Sequence, residues 1–293
     1  MTSGKQAVSG SQGLKIVFIG GGNMASALIA GLAGKLTAGS NIRVIDPDPA
    51  ALDSLRTRFG VDGAASIAAG LVGFDVIVLA VKPQSMREVA AQLLPQLDAC
   101  LAEGGQPLIL SIAAGIRSID LARWLGGYQA IVRCMPNTPA LIGLGITGMV
   151  SAAAVSAQQK QAADAIMSAV GATLWLADEA LIDPVTAVSG SGPAYVFYFI
   201  EAMQQAALEM GLSSEQGTQL ALATFVGASQ LAAQSTEPVA LLRERVTSKG
   251  GTTHAALVSM EQSGVKEAIV AAVKAAAQRG KELGAQLGAD DQS

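Results

Sequence analysis

The sequence predicts an α/β chain in two parts, a doubly wound parallel sheet followed by an all-α domain, and three observations lead there. Residues 14–19, 75–80 and 107–112 are short, nearly continuous apolar runs, the pattern of strands buried on both faces. Helical-period segments separate these runs, giving the alternation of a doubly wound fold. After Ala177 the strand pattern stops, and apolar residues recur at helical spacing as far as residue 287. The expected division is a disordered lead at 1–13, the sheet domain at 14–178, the helical domain at 179–287 and a tail at 288–293.

The first strand runs straight into Gly20, Gly21 and Gly22, and Asn23, Met24, Ala25 and Ser26 then open an apolar helix containing Leu28, Ile29 and Leu32. A glycine turn of this kind brings a helix N-terminus, with its unpaired N–H groups and partial positive charge, over the strand end, where a pyrophosphate is well held. Gly20 permits the turn, Gly22 lets the backbone approach the phosphates, and Ala25 is small enough for close helix packing. This is the Gly-x-Gly-x-x-Ala form of the Rossmann-type dinucleotide fingerprint. Residues 41–45 form a second strand ending in Asp46, about twenty residues beyond the turn, where an acid binds adenosine ribose hydroxyls. The expected ligand is a nicotinamide dinucleotide.

Further along, residues 49–58 read as a helix, 66–71 as a short helix, and the strand at 75–80 delivers Ala80, Val81, Lys82 and Pro83. A helix at 84–97 leads to the strand at 107–112, which ends in Ala113, Ala114 and Gly115. Ligands of such sheets lie beyond the carboxyl ends of the strands, so these segments and the glycine turn point at one coenzyme. The strand at 130–134 ends in the proline-rich turn Met135-Pro136-Asn137-Thr138-Pro139. Asn137 is there either a turn residue or a polar group near the nicotinamide. Strands at 146–151 and 172–176 close the domain around a helix at 156–170.

Composition narrows the classes. With 51% hydrophobic and only 14% charged residues, the chain can fill large cores and bury surface between subunits. A net charge of −4 without a clustered basic face argues against nucleic acid. The mean hydropathy of +0.43 invites a membrane reading, but the uncharged stretches 134–159 and 184–200 are broken by proline and glycine, so no span is expected. The polar, glycine-rich start has no apolar core of a signal peptide, and a cytoplasmic location is expected. Cys100 and Cys134 lack metal or redox spacing, and His254 is the sole histidine, so no metal site is expected.

In the helical part, residues 195–210, 213–234 and 265–287 are Ala-rich with apolar residues on more than one face, which suggests subunit association. Ser189 or Ser191 is expected to cap the first helix, with Pro193 in its first turn. The second interruption, Thr247-Ser248-Lys249-Gly250-Gly251-Thr252-Thr253, combines hydroxyls and free N–H groups beside a helix start, a good seat for a carboxylate. Strong proton donors are scarce: Tyr195 is followed four places on by Phe199 instead of lysine, and no lysine lies between Lys160 and Lys249. A protonated imine resolves the shortage, because hydride addition then yields a neutral amine and the enzyme need supply only a hydrogen-bond partner and placement. Thr252 and Thr253 can supply that partner.

Taken in order, the Ile-Gly-Gly-Gly-Asn-Met turn, Ala80-Val81-Lys82-Pro83, Ser111-Ile112-Ala113-Ala114-Gly115, Arg133-Cys134-Met135-Pro136-Asn137-Thr138-Pro139, and residues 188–195 and 246–253 resemble the pyrroline-5-carboxylate reductase family. The resemblance implies reduction of 1-pyrroline-5-carboxylate to L-proline by NADPH or NADH. It also implies an all-α dimerisation domain, a homodimer assembling to a decamer, and a loop of one subunit facing the nicotinamide of its partner. On that pattern Thr253 hydrogen-bonds the ring nitrogen as the catalytic residue, and Val246, Ser248, Gly250, Gly251 and Thr252 belong to the substrate loop. Ala80, Val81, Lys82, Pro83, Ala113, Ala114 and Asn137 join Gly20, Gly22, Asn23, Met24, Ala25 and Asp46 on the coenzyme side. Lys249 stands where many members have proline. Asp46 favours NADH, while Arg43 and Arg56 lie close by in sequence, which leaves the coenzyme open. Competing readings are a reductase of another cyclic imine or small oxo acid, and a non-catalytic NAD(P)H sensor.

Overall fold

The computed structural model describes residues 13–289, so nearly all of the expected lead and the end of the expected tail lie outside the described residues. The chain forms two compact units, one running to Gly190 and resuming at Ala277, the other Ser191–Ala276. The first unit therefore keeps residues 179–190, which the sequence places with the helical domain, and reclaims the end of the last helix.

In the first unit the order is β1 (Ile16–Ile19), α1 (Asn23–Leu32), β2 (Ile42–Ile45), α2 (Pro49–Phe59), β3 (Asp62–Ala64), β4 (Val76–Leu79), α3 (Met86–Ala102), β5 (Leu108–Ser111), α4 (Ser118–Trp124), β6 (Ile131–Met135), β7 (Gly145–Ser151), α5 (Ala157–Ser168), β8 (Gly171–Trp175) and the short α6 (Ile182–Val185). The eight-stranded sheet has the order β3-β2-β1-β4-β5-β6-β7-β8, parallel throughout except where β6 meets β7. Its first six strands follow the dinucleotide-binding order.

Alternate side chains of the central strands feed two cores. Ile16, Phe18, Val76, Val78, Leu108 and Leu110 pack with Leu28, Ile29 and Leu32 of α1, Leu52 and Leu55 of α2, and Ile166 and Met167 of α5. Val17, Ile19, Ile77, Leu79 and Ile109 pack on the other side with Met86, Ala90, Leu93 and Leu97 of α3 and Leu121 of α4. This double burial is why the strands are uniformly apolar.

Several elements differ from expectation. The helix expected at 66–71 is only a 3₁₀ turn, Ile67–Ala69, capped by Ser66 and closed by Gly70 at φ +90°. Strand β3 and helix α4 had no visible pattern in the sequence. α3 begins at Met86 and continues through Pro95 to Ala102. Ser191 does occupy the N-cap position of α7 (Gly192–Glu209), yet its side chain makes no capping bond. The chain enters α7 from α6 and a π turn, Thr186–Gly190, so Ser191 is already helical at φ −84°, ψ −20°, and the extended entry that a serine cap needs is missing. Ser189 Oγ instead donates back to Val185 O at 2.9 Å.

The second unit contains α7, α8 (Ser214–Gln234), α9 (Val239–Arg245), α10 (Thr252–Gln262) and the start of α11 (Val265–Gly288). A capping box of Ser213 and Gln216 opens α8, and Gly217 lies so close to α7 that a Cβ there would stand 3.0 Å from Ala207 Cβ. Large apolar side chains stay exposed, among them Phe197 at 63% and Tyr198 at 72%. Among the described residues no helix is long and apolar enough to cross a membrane.

Helix α1 is held hard against α5 at Gly31, where a Cβ would stand 2.5 Å from Ala169 O. Helix propensity favours alanine over glycine by about 0.5–1 kcal/mol, but overpacking against a fixed carbonyl costs about 1–3 kcal/mol. Gly31→Ala is therefore expected to lower stability, read as an earlier urea midpoint than wild type at the same protein concentration; an equal or later midpoint would contradict the packing described.

Candidate active site

The carboxyl edge of the sheet is assembled by backbone bonds that keep strand ends in step. Gly20 N donates to Ile45 O at 2.8 Å, Ala80 N to Ile19 O at 2.8 Å, and Ile112 N to Leu79 O at 3.1 Å. Gly20 sits at φ +101°, and a Cβ on it would meet Ala80 O at 2.6 Å, so both its conformation and its contact require glycine. Gly22 serves differently. It is the N-cap of α1, without a side-chain cap, and a Cβ there would meet nothing within 4 Å. Beyond it the first-turn amides of Asn23, Met24 and Ala25 lack intrahelical acceptors and lie at the positive end of the helix dipole. Ala25 itself is buried against the core. A pyrophosphate fits this uncapped end: the donors are there, and Gly22 puts no side chain in the way.

Asp46 follows β2 directly. Its Oδ2 accepts from Gly21 N at 2.7 Å and its Oδ1 from Asp48 N at 2.9 Å, while Asp48 caps α2 by accepting from Ala50 N at 2.9 Å. After β4, Val81 is half-buried and Lys82 is exposed, and Lys82 and Pro83 start the 3₁₀ turn that leads into α3. After β5, Ala113 is buried in the core and Ala114 faces outward. Ser111, the last residue of β5, is buried with its hydroxyl unpartnered among the described residues. It opens the strand end, Ser111 to Gly115, that the sequence points toward the coenzyme.

Asn137 turns out to brace the backbone. Its Oδ1 accepts from Ile146 N at 2.9 Å and its Nδ2 donates to Ser189 O at 3.2 Å, so it ties the end of β6 to the start of β7 and to the π turn. Both bonds suit the turn-residue alternative, and they leave the second Nδ2–H and one Oδ1 lone pair for a ligand. Beside Asn137, burial pushes the Cys134 thiol well above its ordinary range, which leaves it an inert core residue. Arg133, unremarked in the sequence beyond its motif, is buried and pairs with Glu179 at 2.8 Å, and Glu179 also accepts from Ser118 N at 2.7 Å. The hollow of about 510 Å³ bounded by Phe74, Asp75 and Pro107 lies at the opposite, amino edge of the sheet, away from all of these residues.

The second unit supplies the other group of expected residues. Thr247 Oγ1 donates to Arg243 O at 2.6 Å and closes α9. Val246 and Ser248 are exposed, Gly250 turns the chain at φ +75°, and Gly251 N donates to Ser248 O at 3.0 Å. Gly251 is the N-cap of α10, again without a side-chain cap, and a Cβ there would stand 2.7 Å from Ser248 Oγ. Thus Ser248, Thr252 and Thr253 bring hydroxyls to an uncapped helix N-terminus. His254 is exposed in the same first turn.

Comparison with known proteins follows this division. A family model described as pyrroline-5-carboxylate reductase dimerisation matches residues 179–283, and one described as NADP oxidoreductase, coenzyme F420-dependent, matches residues 15–115. The chain is 46% identical over 274 residues to the pyrroline-5-carboxylate reductase of Pseudomonas aeruginosa, covering 94% of this chain and 98% of that one. A solved pyrroline-5-carboxylate reductase from Coxiella burnetii superposes with a TM-score of 0.85 at 37% identity, over 93% of this chain and 99% of that one. The Plasmodium falciparum pyrroline carboxylate reductase, solved with NADP bound, gives 0.81 at 31% identity, over 94% of this chain and 100% of that one.

The two turn glycines separate under substitution. Gly22→Ala is expected to leave thermal unfolding unchanged but weaken coenzyme binding about tenfold or more by blocking the close approach of phosphates. Gly20→Ala is expected to lower the unfolding temperature as well. Thermal melts and coenzyme fluorescence titrations check both, and a Gly22→Ala protein binding like wild type would remove the turn from the site.

Proposed function

The chain belongs to the pyrroline-5-carboxylate reductase family, and we propose how its residues divide that family's reaction. It is an NAD(P)H-dependent oxidoreductase that reduces 1-pyrroline-5-carboxylate to L-proline, the last step of proline biosynthesis, and it associates through its dimerisation domain as a homo-oligomer. When bound, the reduced nicotinamide supplies the hydride.

The reading rests on one observation: two helix N-termini, those of α1 and α10, lack side-chain caps, and each follows a glycine turn that leaves its amides open. We assign the first to the coenzyme pyrophosphate and the second to the substrate carboxylate. On the coenzyme side Gly20 and Gly22 shape the turn, Asn23, Met24 and Ala25 present the first helical turn, Asp46 faces the adenosine ribose, and Ala80, Val81, Lys82, Pro83, Ala113 and Ala114 line the sheet edge. Asn137 joins them on the coenzyme side while its amide fixes the neighbouring turn. On the substrate side Val246, Ser248, Gly250, Gly251 and Thr252 hold the carboxylate end, with Lys249 adding positive charge, and Thr253 Oγ accepts the N–H of the protonated ring. No strong acid is needed, since the product nitrogen is left neutral.

We assign residues 14–178 to the coenzyme and 179–287 to dimerisation and substrate. The loop before α10 of one subunit serves its partner's nicotinamide, the dimers assemble further to a decamer, and the protein acts in the cytoplasm.

Loss of the coenzyme absorbance with 1-pyrroline-5-carboxylate tests the assignment. Thr253→Ala is expected to lower kcat about tenfold to a hundredfold, as expected for one hydrogen bond to a charged group, while Thr253→Ser retains most of the rate. Equal rates in wild type and Thr253→Ala would discard that threonine, and folded, coenzyme-binding protein without turnover would discard the substrate.

A further inference from the structure

The adenosine end of the coenzyme site has three arginines within reach in sequence, and the fold engages each of them elsewhere. Arg43 Nε lies 2.6 Å from Asp62 Oδ2, its Nη1 donates to Gly70 O at 3.1 Å, and its guanidinium stacks on Phe74 at 5.1 Å. Phe74 and Gly70 precede β4, so this group is drawn away from the carboxyl edge. Arg56 pairs with Asp53 at 3.2 Å and donates to Gly63 O at 2.8 Å, lying so close over β3 that a Cβ on Gly63 would stand 2.9 Å from it. Arg58 sits over the Phe59 ring at 4.7 Å.

What the end of β2 does present is acidic. The Asp46 carboxylate is gripped at both oxygens by backbone amides, from Gly21 at 2.7 Å and Asp48 at 2.9 Å, and Asp48 adds a second carboxylate two residues on. A carboxylate has about four acceptor sites, so two amide bonds leave Asp46 able to accept from ribose hydroxyls. They also stop it from swinging aside, because moving would strip Gly21 and Asp48 of their partners at once.

We propose that this chain prefers NADH to NADPH, with Asp46 as the specificity-determining residue. The inference rests on the coenzyme reading given above. A 2′-hydroxyl donates to the fixed carboxylate. A 2′-phosphate meets like charge at Asp46 and Asp48, with Arg43, Arg56 and Arg58 all held in other contacts, and such juxtaposition is strongly disfavoured.

Binding of each coenzyme to the full-length oligomer, without any imine, tests this by fluorescence titration. NADH is expected to bind about tenfold or more tightly than NADPH, and Asp46→Asn to close most of that gap by strengthening NADPH. Competition on the wild type gives a check independent of any variant's folding: 5′-AMP should displace NADH about tenfold better than 2′,5′-ADP, which differs from it only by the 2′-phosphate. NADPH binding as tightly as NADH, or 2′,5′-ADP competing as well as 5′-AMP, overturns the proposal; a gap unchanged in Asp46→Asn overturns the role of Asp46. Imine reduction plays no part in these titrations, so a failed substrate assignment leaves them untouched, and binding of neither coenzyme would instead remove the coenzyme reading itself.

Discussion

The contact of Gly20 with the Ala80 carbonyl is the constraint on which the carboxyl edge depends. With a Cβ only 2.6 Å from that oxygen, any other residue would push the turn off β4. The neighbouring amides would move with it: Gly20 N holds Ile45 O and Gly21 N holds Asp46, so adjacent residues tie the ends of β2, β1 and β4 together. Gly31 secures the same helix near its other end, against Ala169. A helix fixed at both ends aims its uncapped amides at one place, and its partial charge acts on a ligand only within that first turn. Glycine is the entropically costly choice inside a helix, and the close approach at Gly31 offsets that cost with packing no other residue permits.

This logic also accounts for what was legible in the sequence. Strands β1, β4 and β5 announced themselves because burial on both faces leaves no room for polar alternation. Strand β3, Asp62-Gly63-Ala64, has no strand-forming residue at all, and it pairs because β2 offers a free edge and Asp46 N finds Ala64 O. Helices α4 and α9 span only two turns each, too short for a period to register. The positions of Asp46 and Asn137 were readable, whereas their partners were not. Gly21 lies 25 residues from Asp46, and Ser189 lies 52 from Asn137, so those bonds exist only after the chain has folded. The same holds for Ser191, whose residue type suggests a cap that the wound chain before it forbids.

Side-chain chemistry at the site is sparse, and the second unit offers a physical reason why sparse chemistry suffices. Phe197, Tyr198, Leu220, Val226 and Leu231 are all exposed on its helices, an apolar surface that a monomer in water does not maintain cheaply. A second copy removes it from water, and a symmetric interface repeats the same geometry on both sides. Under the proposed division of labour, that interface also sets how the loop before α10 meets a coenzyme. A site divided in this way suits a substrate that arrives already protonated. In the proposed assignment its carboxylate is held by helix amides and its ring nitrogen by one hydroxyl, and both interactions are directional without requiring a tuned pKa. The absence of lysine between Lys160 and Lys249, which first argued against carbonyl reduction, is what imine reduction permits.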